Sequence, residues 1–192
     1  MLLVAVLAIA GIVTFRQLAA AAPPDNPAQP PGHDAAAVAD GIVNDDDGML
    51  PDGATVFDGD LPGVANLSPG LRDALQRASQ DAAAGGVIIH VNSGWRSAEY
   101  QDRLVQEAVS QYGSVEEAAR WVASAATSAH VSGEAVDVGS YDAVDWLTQH
   151  GAGYGLCQTY GNEAWHFELR AIASGQACPR PFSDPTQDPR MQ

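Results

Sequence analysis

His130, Asp137 and His166 offer two imidazole nitrogens and a carboxylate oxygen. These are donor types that Zn²⁺ accepts, and three protein ligands leave a fourth position for water, as catalytic zinc sites require. Zinc in such a site lowers the pKa of its water towards about 7 and polarises a carbonyl oxygen. Glu163 stands three residues before His166, placed to take a proton from that water and pass it to a leaving amine. Spacing alone does not separate this constellation from a set of ordinary buried histidines.

The elements around these residues decide whether they meet. In residues 164–170 the side-chain period of a strand puts Trp165, Phe167 and Leu169 on one face and His166 with Glu168 on the other. In residues 135–139, Val136 and Val138 point one way while Ala135 and Asp137 point the other. His130 lies seven positions before Asp137, an odd offset that sets the two on opposite faces of a continuous strand. Both reach one ion only if Gly133 breaks the geometry.

Upstream, Ser68-Pro69 opens a helix with Leu71, Leu75 and Ala78 at helical spacing, stopped by Gly85-Gly86. Residues 87–92 read as a strand, and Ser97 caps a second helix ending near Gly113. Ser114-Val115-Glu116-Glu117 is a capping box for a third, which carries Trp121 as a packing residue. A helix over 142–150 closed by Gly151, and strands near 155–159 and 164–169, complete the domain. Strands and helices mix without a regular βαβ alternation. The expected fold is therefore a small single α+β domain, a central antiparallel sheet with helices packed on it and the metal site on the sheet.

The chain of 192 residues accommodates one such domain with extensions, and its net charge of −15 opposes nucleic-acid binding. All nine basic residues are arginines, which excludes Schiff-base, Walker P-loop and Ser-x-x-Lys chemistry. Residues 1–22 hold an apolar run and an alanine cluster expected of an export signal or membrane anchor. No basic residue precedes that run, so the true start is expected to lie upstream. Residues 23–48, rich in Pro, Ala and Asp, are expected to form a flexible linker, and residues 49–192 the domain. Asp45-Asp46-Asp47-Gly48 lacks the first and last ligands of a calcium loop, holding Val43 and Ala54 there. Gly151-Ala152-Gly153-Tyr154-Gly155 follows a helix, not a strand, and reads as a turn, not a dinucleotide fingerprint. His33 falls in the linker, while packing and the helix dipole account for His90 and His150.

In an exported chain, Cys157 and Cys178 are expected to form a disulfide that stabilises the fold by roughly 3 kcal/mol. The loop that it closes includes Glu163 and His166. Two buried thiols, or a cysteine nucleophile at Cys157 working with His166, are the alternatives.

Three ordered segments carry a family resemblance. Ser128-Ala129-His130-Val131-Ser132-Gly133-Glu134-Ala135-Val136-Asp137 fits S-x-H-x-x-G-x-A-x-D, and Glu163-Ala164-Trp165-His166 fits E-x-W-H. Ser93-Gly94-Trp95-Arg96-Ser97, followed by Tyr100-Gln101, is similar to S-G-[YW]-R-S. On these segments the chain resembles the VanY-type zinc D-alanyl-D-alanine carboxypeptidases, a VanY/VanX-like group, from about Asp52 to its C-terminus. The resemblance implies one Zn²⁺ per chain on His130, Asp137 and His166, with Glu163 as catalytic base. It gives Arg96 the substrate's carboxylate or the tetrahedral oxyanion, which a planar charged guanidinium suits. Ser128 and Gln101 match positions lining the substrate site, Trp165 is counted with them, and Glu168 is a partner behind His166.

The implied reaction removes the terminal D-Ala from peptidoglycan stem peptides in the bacterial envelope. The enzyme is expected to be a monomer, with no nucleic-acid partner and membrane contact only through its N-terminal segment. The same chemistry on another wall bond (L,D-carboxypeptidase, D,D-dipeptidase or endopeptidase) and a non-catalytic wall-binding module are the rival readings.

Overall fold

The stripe of Leu71, Ala74, Leu75, Ala78 and Ala82 is spaced to bury one face of a helix. In the structure, a computed structural model describing residues 43–191 apart from Ser174, these residues lie buried in Pro69–Ala84 (α2), which follows a single turn at Pro62–Ala65 (α1). The expected export segment and most of the expected linker lie outside the described residues. Among the described residues no helix is long and apolar enough to cross a membrane. Helix α2 ends with Gly86 in the left-handed region, and the N–H of Val87 reaches back to the carbonyl of Ala82 at 3.0 Å, a Schellman cap. Because Val87 belongs to that cap, the following strand starts later than its β-branched residues suggest, at His90–Ser93 (β1).

Ser97 caps Ala98–Tyr112 (α3), its Oγ accepting from the N–H of Tyr100 at 3.0 Å. The expected third helix is one turn only, Val115–Ala118 (α4), capped by Ser114. Beyond it the Arg120 and Trp121 N–H groups take three-residue bonds, to Glu117 and Ala118, and Trp121 leaves the helix to stack on Tyr112 with ring centroids 5.6 Å apart. Tyr141–His150 (α5) does not stop at Gly151. It runs on as a 3-10 turn to Tyr154, and Gly155, in the left-handed region, ends it.

Ala135–Gly139 (β2), Leu156–Gln158 (β3) and His166–Leu169 (β4) join β1 in one antiparallel sheet of order β1-β2-β4-β3. Val91, Val136, Val138, Leu156 and Phe167 bury against the stripe of α2 and against Ala143 and Leu147 of α5. Two helices thus cover one face of the sheet, and that apolar layer is the core.

The folded domain extends further towards the N-terminus than the expected boundary at residue 49. Asp45–Asp47 form a 3-10 turn with Asn44 and Asp47 in a reciprocal capping box, and Val43 is buried. Asp47 ties this turn to the start of α3, accepting from the Ser97 N–H and the Ser97 hydroxyl at 2.8 Å each. Short polar side chains bonding their own backbone made this stretch look like linker.

Candidate metal centre

Strands β2 and β4 set Asp137 opposite His166 and Ala135 opposite Glu168. Directly opposed residues share a face, and Val136, Val138 and Phe167 occupy the core side. Asp137, His166 and Glu168 therefore stand together on the other face.

His130 arrives from the turn before β2. Gly133 has a φ of +71°, and a Cβ on it would lie 2.4 Å from the carbonyl oxygen of Asn66, so only glycine fits there. The Gly133 carbonyl accepts from the Ser68 N–H at 2.8 Å, and the Gly133 N–H donates to the His130 carbonyl at 3.0 Å. This break carries His130 to the Asp137 face, as the odd spacing demands.

His130 Nε2 lies 3.2 Å from His166 Nδ1 and 3.4 Å from Asp137 Oδ1, and His166 Nδ1 lies 3.1 Å from Asp137 Oδ1. All three residues are buried. The outer nitrogens fix the tautomers. His130 Nδ1 donates to the Gly94 carbonyl at 2.8 Å, and His166 Nε2 donates to Glu168 Oε1 at 3.4 Å. In a neutral imidazole the other nitrogen then carries a lone pair. Two lone pairs and a carboxylate oxygen converge with no proton of their own between them, an arrangement that calls for a cation. Metal–ligand bonds of about 2.0–2.1 Å in a tetrahedron imply ligand–ligand edges of roughly 3.3 Å, which matches these separations. The donor set fits zinc.

Without a metal the same pressure appears as proton affinity. Burial opposes a charge on His166, yet its hydrogen bonds to Asp137 and Glu168 raise its pKa to about 10. Burial, aided by the Arg96 charge, lowers that of His130. Burial alone would raise Asp137, but His130, His166 and Arg96 hold its carboxyl well below the usual carboxylate range.

Arg96 touches the ligand set itself. Its Nη2 donates to Asp137 Oδ2 at 2.7 Å, Nε to Ser93 Oγ at 2.8 Å and Nη1 to Gln101 Oε1 at 3.2 Å. An irregularity in the β1–β2 ladder between Val91 and Ser93 sets Ser93 opposite Asp137, re-aiming it as bulges do. Gln101, on α3, spans from Arg96 to the Ala123 carbonyl, to which its Nε2 donates at 2.8 Å. Ser128 is buried just before His130. Trp165 is buried in the turn ahead of β4, where its carbonyl accepts from the Val138 N–H.

Glu163 Oε2 lies 3.8 Å from His166 Nδ1, while Oε1 is buried without a hydrogen-bond partner. Burial pushes this carboxyl up to about 7. An acceptor is thus held free beside the ligand atoms, with a proton affinity suited to transfer near neutral pH. Glu168 is the reverse case. Burial would raise it, but hydrogen bonds from His166 and Arg190 hold it down at about 2. Cys157 and Cys178 are disulfide-bonded, with Cα atoms 5.5 Å apart, so Cys157 is no thiol nucleophile.

Sequence reasoning missed Ser93 as the seat of the Arg96 guanidinium, although it opens the S-G-W-R-S segment. It also missed Arg190, which no motif marks.

A family model described as VanY: D-alanyl-D-alanine carboxypeptidase matches residues 65–171. A curated D-alanyl-D-alanine carboxypeptidase of Enterococcus faecalis (strain ATCC 700802 / V583) is 29% identical over 131 residues, which cover 55% of this chain and 47% of that protein. The chain thus spans about half the length of the curated relative it matches. Among solved structures, a mutant of the vancomycin resistance D,D-pentapeptidase VanY from a VanB-type resistance cassette, in complex with Zn(II), is similar at 26% identity and a TM-score of 0.51. That match covers 54% of this chain and 72% of the other. VanYB in complex with D-Alanine-D-Alanine is similar at 27% identity and a TM-score of 0.52, covering 55% and 72%. The LdcB LD-carboxypeptidase, 22% identical with a TM-score of 0.51 over 67% of this chain and 70% of its own, shares the fold.

Proposed function

The chain belongs to the VanY D-alanyl-D-alanine carboxypeptidase family, and from that premise we propose that it is a zinc peptidase that removes the terminal D-Ala from peptidoglycan stem peptides. The observation that carries this reading is the meeting of His130 Nε2, His166 Nδ1 and Asp137 Oδ1 beside the unpartnered Oε1 of Glu163. These three atoms would hold the ion. Bound there, zinc would supply the Lewis acidity that polarises a carbonyl and makes water nucleophilic near neutral pH. Glu163 takes a proton from the attacking water and delivers it to the departing D-Ala amine. Arg96 keeps Asp137 in place and has further N–H groups for the substrate's carboxylate or the developing oxyanion. The disulfide supports a place outside the cytoplasm, where such bonds persist.

D-alanine release from a stem pentapeptide tests this, with the zinc-loaded full chain and again after chelation. Release that chelation abolishes and zinc restores is the expected result. A folded, zinc-loaded chain that releases none refutes the D,D-carboxypeptidase reading. A panel of defined muropeptides then reports whether an L,D bond, a dipeptide or a cross-link is cut instead.

A further inference from the structure

Resting on the reading of His130, Asp137 and His166 as a zinc site, we propose that Arg190 is a positioning residue for the metal, clamping the carboxylate that orients His166. Arg190 stands two residues from the end of the chain and beyond the segment that the family model matches. The C-terminal segment returns it to the sheet. After β4 the chain is stapled to β3 by the Cys157–Cys178 bond, and Phe182 forms a parallel bridge with Tyr160. Asp184 then accepts from Arg120 Nε at 3.3 Å, and two 3-10 turns, Pro185–Gln187 and Pro189–Met191, follow.

There Arg190 meets Glu168 fork to fork, Nη1 to Oε2 at 2.6 Å and Nη2 to Oε1 at 3.1 Å. Asp188 grips the same guanidinium from its other edge, accepting from Nε at 2.9 and 3.0 Å and from Nη2. Tyr160 donates to Asp188 at 3.2 Å, and its ring centroid lies 5.1 Å from that of His166. Glu168 is only 2% exposed, and its Oε1 receives both Arg190 and the His166 Nε2–H.

A carboxylate held by two parallel N–H···O bonds has its rotation fixed. Fixing it fixes which His166 nitrogen carries the proton and so leaves Nδ1 bare towards the metal. Arg170, the other cation on Glu168, offers one contact at 3.3 Å to Oε2 and cannot set that rotation. Arg190 thus also supplies the main counter-charge without which a carboxylate buried beside the ligands is costly.

Zinc affinity of the full chain, read by competition with a chromophoric chelator, tests the assignment independently of turnover. R190A is expected to bind zinc about tenfold more weakly, the lower end of what groups behind a ligand contribute. R190K restores the charge but not the fork and is expected to recover only part of the loss. R120A frees the same segment at Asp184 while leaving Arg190 untouched, and is expected to bind as wild type does. A folded R190A that binds zinc as tightly as wild type overturns the proposal, as does an equal loss in R120A, which would assign the effect to docking of the segment. If R190A fails to fold, R190K carries the test: it must bind more weakly than R120A, and parity overturns the proposal. A wild-type chain that binds no zinc overturns the metal reading itself, and this inference with it.

Discussion

Replacing Glu163 by Gln separates what the carboxyl does for the reaction from what it costs the fold. Burial lifts its pKa from 4.5 to about 7. Between those values the folded chain keeps a proton that the unfolded chain has released, so unfolding free energy falls as pH rises through that window. At about 1.4 kcal/mol per unit, the full penalty is at most about 3 kcal/mol, present above pH 7 and absent below about pH 4. Gln has no proton to lose. Metal-free E163Q is therefore expected to be more stable than wild type at pH 8 by up to about 3 kcal/mol and to match it at pH 4, as urea denaturation of the chelated proteins would show. With zinc restored, D-Ala release is expected to fall by about 10²–10⁴, while zinc affinity stays near wild type because Glu163 is not among the three ligand atoms. Equal stability at pH 8, or the same gain at both pH values, refutes the argument that burial destabilises this carboxyl. Full turnover in E163Q removes it from the mechanism.

Two further variants probe the scaffold. G133A forces a side chain into a left-handed backbone and a Cβ to 2.4 Å from a carbonyl oxygen, so a loss of more than about 2 kcal/mol and weaker zinc binding through His130 are expected from thermal melts and chelator competition. C157S/C178S opens a loop with a sequence separation of 21 and is expected to cost about 3 kcal/mol in urea denaturation; an unchanged midpoint would show that the disulfide adds nothing.

The meeting of His130, Asp137 and His166 was legible because its geometry is local in two senses. Strand periodicity assigns Asp137, His166 and Glu168 to one face, and the odd offset of His130 requires a break that Gly133, in the left-handed region, supplies. The core stripe of α2 was legible for the same reason, since 3.6-residue spacing is written in the chain. What escaped depends on pairings between distant residues. The ladder irregularity that sets Ser93 against Asp137 is decided by strand register, and the return of Arg190 to Glu168 closes a contact across 22 positions of irregular chain. Elements also ended where capping competes with extension: Val87 was taken by the cap of α2, and at Ser114 only the hydroxyl half of the expected capping box formed, starting a single turn. The family resemblance implied a substrate role for Arg96, but no motif states that its shortest contact is to Asp137, one of the candidate metal ligands.

That partnership makes its own prediction. Arg96 and Asp137 are both buried and meet at 2.7 Å, and breaking such a pair from one side typically costs about 3–5 kcal/mol because the survivor is left uncompensated. The two sides are not equivalent. In metal-free protein, Asp137 without Arg96 still has the protonated His166 at 3.1 Å, whereas Arg96 without Asp137 is left with the neutral Ser93 and Gln101. D137A should therefore destabilise the chelated chain more than R96A. The double variant should cost less than the sum of the two by at least about 2 kcal/mol, because it leaves no stranded charge. Denaturation of the four metal-free proteins measures this coupling. Additive losses, or R96A proving the worse single change, would mean that the guanidinium is balanced elsewhere. The expected asymmetry instead makes Arg96 the group that holds the ligand carboxylate ready before any metal binds. In a chain with 24 acidic and nine basic residues, that is a reason to bury one arginine where it meets a ligand.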